Sequence, residues 1–337
     1  MNIVVVGAGA LGSIYAAYLV KGGHQVSLVA RGERAAGLAK HGIGVVGEGA
    51  FTVRCNVVTQ PETLREADVV IVAIKTYDMA QALTSLRGLK VKTALSVQNG
   101  VLKNQQLGEV FGAKTVVGAI SMIGGDVFPA EGDLPGAVRY NIAGPTVMGE
   151  PAGGQSARVK ELVEIFEQSG LKAKASDDIT SVEWSKFVGW SGFSCLAVMT
   201  RLPTWRFMLD ADTALIAARV MRETAVVAMK HGVKLQDSGF TSNAFINGSE
   251  EEAVKAVQAY GEDRRVGAPT FRQSILQDAD RNRRLEVNET LDYTLSLAKE
   301  YGVAVPTLDL CCRVLRVVSR AAAPSPQPSP TRGEGVL

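Results

Sequence analysis

An α/β protein is predicted, with a doubly wound parallel sheet in its first half and a mostly helical second half. Three observations carry this. Residues 2–12 read NIVVVGAGALG, a strand-type run entering a glycine turn that leads to an apolar helical stretch at 14–20. Residues 68–74 (DVVIVAI) form a near-continuous apolar run, as a strand buried on both faces requires. After about Asp177 strand-type runs cease and segments of helical character follow one another.

Taken in order, the elements alternate as βαβ units do. Strands are expected at 2–6, 25–30, 68–74, 94–97 and 115–120, with a helix at 77–86 among the connections. Pro135-Gly136 precedes AVRYNIAG at 137–144, which reads as antiparallel edge strands. A helix at 156–168 and a short strand at 171–175 close the first unit. Helices are then expected at 178–200, 211–232, 249–260 and 286–302, and Ser249 with Glu252 forms a capping-box pattern. The expected division is 1–176 for a dinucleotide-binding domain and 177–320 for a helical catalytic and substrate domain. Residues 321–337 (AAAPSPQPSPTRGEGVL) carry little to bury and read as a disordered tail.

Composition narrows the function. The 337 residues are 46% apolar and 21% charged, with 36 basic and 34 acidic side chains and a net charge of +2. That balance gives no reason to expect nucleic acid or an anionic membrane as a partner. Four cysteines, Cys55, Cys195, Cys311 and Cys312, form no CxxC pair, so neither a disulfide framework nor a metal site is expected. A reducing, cytoplasmic setting fits this usage. The chain begins directly in a strand, so no signal peptide is expected, and no apolar run reaches the length of a membrane span.

The glycine turn is the dinucleotide fingerprint in its strand–turn–helix setting, so the first unit is expected to be a Rossmann-type domain. Within Gly7-Ala8-Gly9-Ala10-Leu11-Gly12, Gly7 permits the turn, Gly9 lets backbone approach a pyrophosphate, and Gly12 lets helix and strand pack closely. The second strand ends in Arg31-Gly32 with no acid at its tip, and Arg34 adds charge nearby. An arginine there suits the 2′-phosphate of NADP(H), whereas NAD or FAD would call for an acid.

Ligands of such sheets lie beyond the carboxyl ends of the strands. Lys75 follows the third major strand and Gln98-Asn99-Gly100 the fourth. Alone, Lys75 reads equally as a surface lysine and Asn99 as a turn residue. The three histidines, His24, His41 and His231, sit at element ends and none reads as a base. A proton donor must then come from elsewhere, and Lys186 qualifies: it lies in an apolar helix on one face with Trp190 and Ser194. Burial would lower its pKa toward neutrality, although a snorkelling lysine has the same sequence. Ser274 to Asp278 and Glu286 form another polar cluster, and Asp280 to Arg284 reads as a solvated face or bend.

Together these motifs resemble the ketopantoate reductase (2-dehydropantoate 2-reductase) family over nearly all of residues 1 to about 318. The motifs are GAGALG at 7–12, Arg31, IKTYD at 74–78, QNG at 98–100, PGAVRY at 135–140, VEWSK at 182–186, LAVMTR at 196–201, and SILQD at 274–278 followed by Glu286. The resemblance implies a cleft between a Rossmann domain and a helical domain, where NADPH reduces a small 2-oxo acid on the route to pantothenate. It implies Lys186 as proton donor, Asn99 between nicotinamide and substrate, Lys75 in the cleft, Ser274 on the substrate, and Glu286 near substrate and cofactor ribose. The family usually places asparagines four and eight residues after its lysine. Here Trp190 and Ser194 stand there, as the expected substrate-facing residues, and an indole offers one donor and no acceptor. A bulkier 2-oxo acid is therefore an alternative substrate. Two rivals are a β-hydroxyacid type of NADP-dependent dehydrogenase and an NADP-binding sensor without turnover. A homodimer is compatible with all of these.

Overall fold

The computed structural model describes residues 1–128, 136–237 and 243–322. Pro135 and nearly all of the expected tail lie outside the described residues. Among those described, the strands are β1 (Asn2–Val6), β2 (Gln25–Val29), β3 (Ile43–Gly47), β4 (Phe51–Val53), β5 (Asn56–Val58) and β6 (Glu66–Val72). They continue with β7 (Lys90–Ser96), β8 (Gly118–Ser121), β9 (Gly124–Val127), β10 (Val138–Ile142), β11 (Thr146–Gly149) and β12 (Ala173–Ala175). The helices are α1 (Ala10–Lys21), α2 (Gly32–His41), α3 (Met79–Ser85), α4 (Lys103–Phe111), α5 (Ala157–Gln168), α6 (Ile179–Thr200) and α7 (Thr204–Leu209). After them come α8 (Ala211–Lys230), α9 (Asn243–Ile246), α10 (Glu250–Gly267), α11 (Ser274–Asp280), α12 (Asp292–Glu300) and α13 (Pro306–Ala321).

The principal sheet has the order β5-β2-β1-β6-β7, with every pairing parallel. Its strands bury both faces. Ile3 and Val5 of β1, with Val69 and Ile71 of β6, enter the core on the side of α1 and α5. Val4, Val6, Val70 and Val72 enter the opposite core with Met79, Leu83 and Leu107. This two-residue alternation into two cores explains why the strands read as unbroken apolar runs. The chain winds from β1 to β2 on one side and returns to β6 on the other. That reversal opens a crevice at the carboxyl ends of β1 and β6.

Two smaller sheets complete the first half, β4-β3-β10-β9 and β12-β11-β8. β10 was expected at an edge with antiparallel partners. Instead it lies inside its sheet, antiparallel to β9 but parallel to β3. Strands β3 to β5 carry too few consecutive apolar residues to announce themselves; β3 gains its buried side beside β10, and β5 pairs with β2 at the edge of the principal sheet.

No strand follows β12 among the described residues. The third core gathers α6, α8, α10, α12 and α13. Helix α6 is buried on nearly all sides, as its apolar circumference requires, and Asp178 caps it by accepting from Ser181 N at 3.0 Å. The Ser249–Glu252 capping box is present, and its helix runs on to Gly267. The helix expected at 286–302 begins instead as a π-helical turn, Val287–Leu291, before α12. No described helix is long and apolar enough to cross a membrane.

Candidate active site

Three loops meet at the carboxyl edge of the principal sheet: the glycine turn after β1, Lys75 to Asp78 after β6, and Gln98 to Gly100 after β7. They line a cleft of about 1360 Å³, closed on the far side by Ser274, Asp278, Arg281 and Glu286 of the helical half.

The glycine turn has the shape a pyrophosphate needs. Gly7 has φ +107°, and a Cβ there would lie 2.5 Å from Ile74 Cγ2. A Cβ on Gly12 would lie 1.8 Å from the Gly7 carbonyl oxygen, so α1 can approach β1 this closely only through glycine. A Cβ on Gly9 would meet no protein atom within 4 Å and would project into the cleft. Gly9 is also the N-cap residue of α1 and offers no capping side chain, so the helix start faces that space. The cradle fits a dinucleotide, with Ala8, Ala10 and Leu11 lining it as well.

The arginines beside the turn divide the work. Arg34 donates from Nε to Ala8 O at 3.0 Å, from Nη2 to Ser13 Oγ at 2.9 Å, and from Nη1 to Gly136 O. It is a brace for the turn with little left to bond a ligand, and since its three acceptors are neutral it still adds positive charge beside the cleft, as expected. Arg31 has 68% of its side chain exposed and pairs with Asp78 at 3.1 Å. Sequence distance hid this acid: Asp78 reaches the tip of the second strand from the loop after β6.

On the wall after β6, Lys75 Nζ donates to Asp278 and lies 3.4 Å from Glu286 Oε2. Glu286 Oε1 accepts from Thr76 N at 2.8 Å. Both carboxylates come from the helical half, so this cluster joins the two sides of the cleft. Burial works to lower the Lys75 ammonium, but Glu286 and Asp278 outweigh it and push it up to about 12. Lys75 is a fixed cation.

In a recess adjoining the cleft, Lys186 projects from α6. Its Nζ donates to Ser121 O at 2.9 Å and to Asn99 Oδ1 at 3.3 Å. Burial, then repulsion from Lys103, bring this ammonium down to about 8, against the pull of Glu183. Asn99 lines both the main cleft and a small recess formed with Lys186, Phe187 and Trp190. Trp190 stacks on Phe187 at 5.6 Å between ring centroids.

The structure thus brings together Gly7 to Leu11, Arg31, Lys75, Asn99, Ser274 and Glu286 along one cleft, with Lys186 and Trp190 in the adjoining recess and Gly12 buried behind the turn. Ser274 is exposed at the start of α11. Ser194 is different. It is fully enclosed, lines neither cavity, and its Oγ has no hydrogen-bond partner. The expected substrate contact from Ser194 is corrected here: two turns along α6 from Lys186, the helix has passed from the recess into the helical core. The run from Asp280 to Arg284 is an exposed bend, as expected, and it also borders the cleft. Arg281 and Arg283 line the cleft, and Arg281 reaches across to Asp126 at 2.6 Å.

The sequence assigns no role to Lys103, Glu183 or Asn104, and Asp278 stands out there only as part of a polar cluster. Asp278 ends the SILQD run and Glu183 lies one turn before Lys186, so spacing held a hint of both. Nothing local marked Lys103 or Asn104.

A switch-point crevice, a glycine cradle and a buried lysine in the recess beside them are the features of a dinucleotide-dependent oxidoreductase. The sequence pattern described as "Ketopantoate reductase PanE/ApbA" matches residues 3–153, and "Ketopantoate reductase PanE/ApbA C terminal" matches 178–319. The chain belongs to the ketopantoate reductase PanE/ApbA family, and so to the oxidoreductases acting on CH–OH groups. A 2-dehydropantoate 2-reductase of Mesorhizobium japonicum is 28% identical over 341 residues, covering 96% of this chain and 98% of that protein. The crystal structure of 2-dehydropantoate 2-reductase from Geobacter metallireducens shares the fold at TM-score 0.80 and 24% identity, covering 94% of this chain and 99% of that one. D-mandelate dehydrogenase, solved with NADH and anilino(oxo)acetate, shares it at TM-score 0.82 and 20% identity, covering 96% and 99%.

Proposed function

We propose that this protein uses NADPH to reduce the carbonyl of a 2-oxo acid, and that the substrate is 2-dehydropantoate, giving pantoate on the route to pantothenate. The observation that carries the reading is the Lys186 ammonium, brought down to about 8 and held between Asn99 Oδ1 and Ser121 O beside the glycine-lined cleft. In this reading residues 1–176 bind the nucleotide and 177–320 supply the proton donor.

Gly7 to Gly12 would hold the pyrophosphate, and Arg31 would take the 2′-phosphate, which competes with Asp78 for its guanidinium. The reduced nicotinamide, when bound, supplies the two-electron reductant to the carbonyl carbon. Lys186 gives a proton from Nζ to the carbonyl oxygen, so the ketone leaves as an alcohol. An ammonium that titrates near pH 8 donates far more readily than an ordinary lysine. Asn99 accepts from Lys186 through its Oδ1, which keeps its amide N–H groups free to orient a substrate oxygen. Ser274 offers a hydroxyl at the rim, and Glu286 fixes Lys75 and the loop at Thr76.

NADPH consumption with 2-dehydropantoate tests the reading, with NADH as the cofactor control. Normal NADPH affinity without turnover on any 2-oxo acid would sink it in favour of a sensor. A bulkier, more aromatic 2-oxo acid is the second reading, favoured by Trp190 walling the recess. Faster turnover of an aryl 2-oxo acid than of 2-dehydropantoate would select it. The reading is of a cytoplasmic enzyme, supported by four free cysteines and checked by cell fractionation. It extends to a homodimer, for which the exposed Leu310 and Val317 of α13 offer apolar surface; the mass in solution decides.

A further inference from the structure

We propose that the buried ion pair between Lys103 and Glu183 is a positioning device, which holds Lys186 against Asn99 and sets how readily that ammonium releases its proton. The proposal rests on the reading of Lys186 as proton donor.

Lys103 begins α4, directly after the turn that carries Asn99. Its side chain is 2% exposed, that of Glu183 is 4% exposed, and Nζ lies 2.7 Å from Glu183 Oε1. Glu183 Oε1 also accepts from Ala119 N at 3.0 Å, and its Oε2 from Asn104 Nδ2 at 2.7 Å. Lys103 Nζ is 3.4 Å from Gly100 O. One carboxylate therefore fastens α4, β8 and α6 to one another.

The same three segments supply the surroundings of Lys186. Asn99 precedes Gly100, Ser121 follows Ala119 by two residues along β8, and Lys186 follows Glu183 by one helical turn. Each hydrogen bond of Lys186 thus ends within two residues of a group engaged by the ion pair. Withdrawing two charges from water costs several kcal/mol per ion, and apolar residues of equal volume would pack the space as well or better. Stability alone gives no reason for charges here, whereas the place where they converge does.

The charges facing Lys186 are few. Lys103 approaches from α4 and Glu183 from its own helix. From β8 comes a backbone carbonyl, and from the turn before α4 the neutral Asn99. Across the main cleft, Lys75, Asp278 and Glu286 are engaged with one another. The sign of each partner's influence follows. Lys103 disfavours a second ammonium nearby, and Glu183 favours it.

The test is the titration of Lys186 in the cofactor-free protein, read by NMR of ¹³C-methylated lysines and assigned by the resonance lost in Lys186→Arg. Lys103→Met should move the midpoint up, and Glu183→Gln should move it down, each by about one pH unit or more. The alkaline limb of kcat/KM should follow both shifts. A purely structural pair would not move the two variants in opposite directions, so unchanged or parallel midpoints would overturn the proposal. If either single variant fails to fold, Lys103→Met/Glu183→Leu removes both charges and refills the space. It should keep the fold and NADPH affinity yet lose about tenfold or more in kcat; wild-type kcat would overturn the positioning role. Midpoints that move as expected in a protein whose Lys186→Arg variant turns over normally would uphold the pair's control of the ammonium while refuting Lys186 as donor.

Discussion

On the wall after β6, Lys75 meets two carboxylates delivered by the helical half; on the wall formed by α6, Lys186 meets a backbone carbonyl, an amide oxygen and, further off, a second ammonium. The side chains are chemically identical. Their surroundings push one up to about 12 and the other down to about 8. The contrast teaches that burial alone does not decide a lysine's role. Burial lowers both, and the neighbouring charges determine which remains a fixed cation and which becomes an acid usable near neutrality.

The largest test of that contrast is Lys186→Ala. Turnover should fall by about 10²–10⁴ with little change in NADPH affinity, measured by steady-state kinetics beside fluorescence titration. Equal losses in both would put Lys186 in cofactor binding. On the Lys75 wall, Arg31→Ala should weaken NADPH by about 10- to 100-fold and leave NADH nearly unaffected, since a charged hydrogen bond contributes about 1.5–3 kcal/mol. An equal loss for both nucleotides would exclude a 2′-phosphate contact.

The smallest effects sharpen the comparison through opposite signs. Lys186 titrates in the folded protein well below the unfolded value of about 10.4. Its charged form therefore opposes folding at neutral pH, and the native state should gain stability as pH rises from about 8 to about 10.4. Lys186→Met should raise stability at pH 7 by about 1–3 kcal/mol in denaturant titrations. Lys75 titrates above its unfolded value, so its contribution is complete below about 10.4 and fades as pH passes through about 12. A third of its side chain meets solvent, and after screening Lys75→Met should cost about 1 kcal/mol. The same sign for both lysine variants would remove the distinction between the walls.

Much of this was legible in sequence. The glycine turn announced its three backbone roles because each depends on a missing Cβ, a property of the residue itself. Lys186 could be singled out because a lone cation in an apolar helix is unusual. Trp190 lines the recess with Lys186, but Ser194 does not, since a long helix passes out of a narrow recess within two turns. Long-range pairing was illegible. Asp78 beside Arg31, Lys103 beside Glu183 and β10 beside β3 are contacts that local pattern cannot encode. Helix α13 lies beyond the expected helices, although Leu308, Cys311, Cys312 and Leu315 follow a helical period and are its buried residues.

Arg34 has a practical consequence. Its guanidinium is tied to Ala8, Ser13 and Gly136, while the neighbouring Arg31 stands largely in solvent. Under the proposed use of NADPH, scaffold and selectivity would fall to separate side chains three residues apart. An engineer testing that division would randomise position 31 and leave position 34 untouched, because a change at 34 removes three bonds that brace the glycine turn.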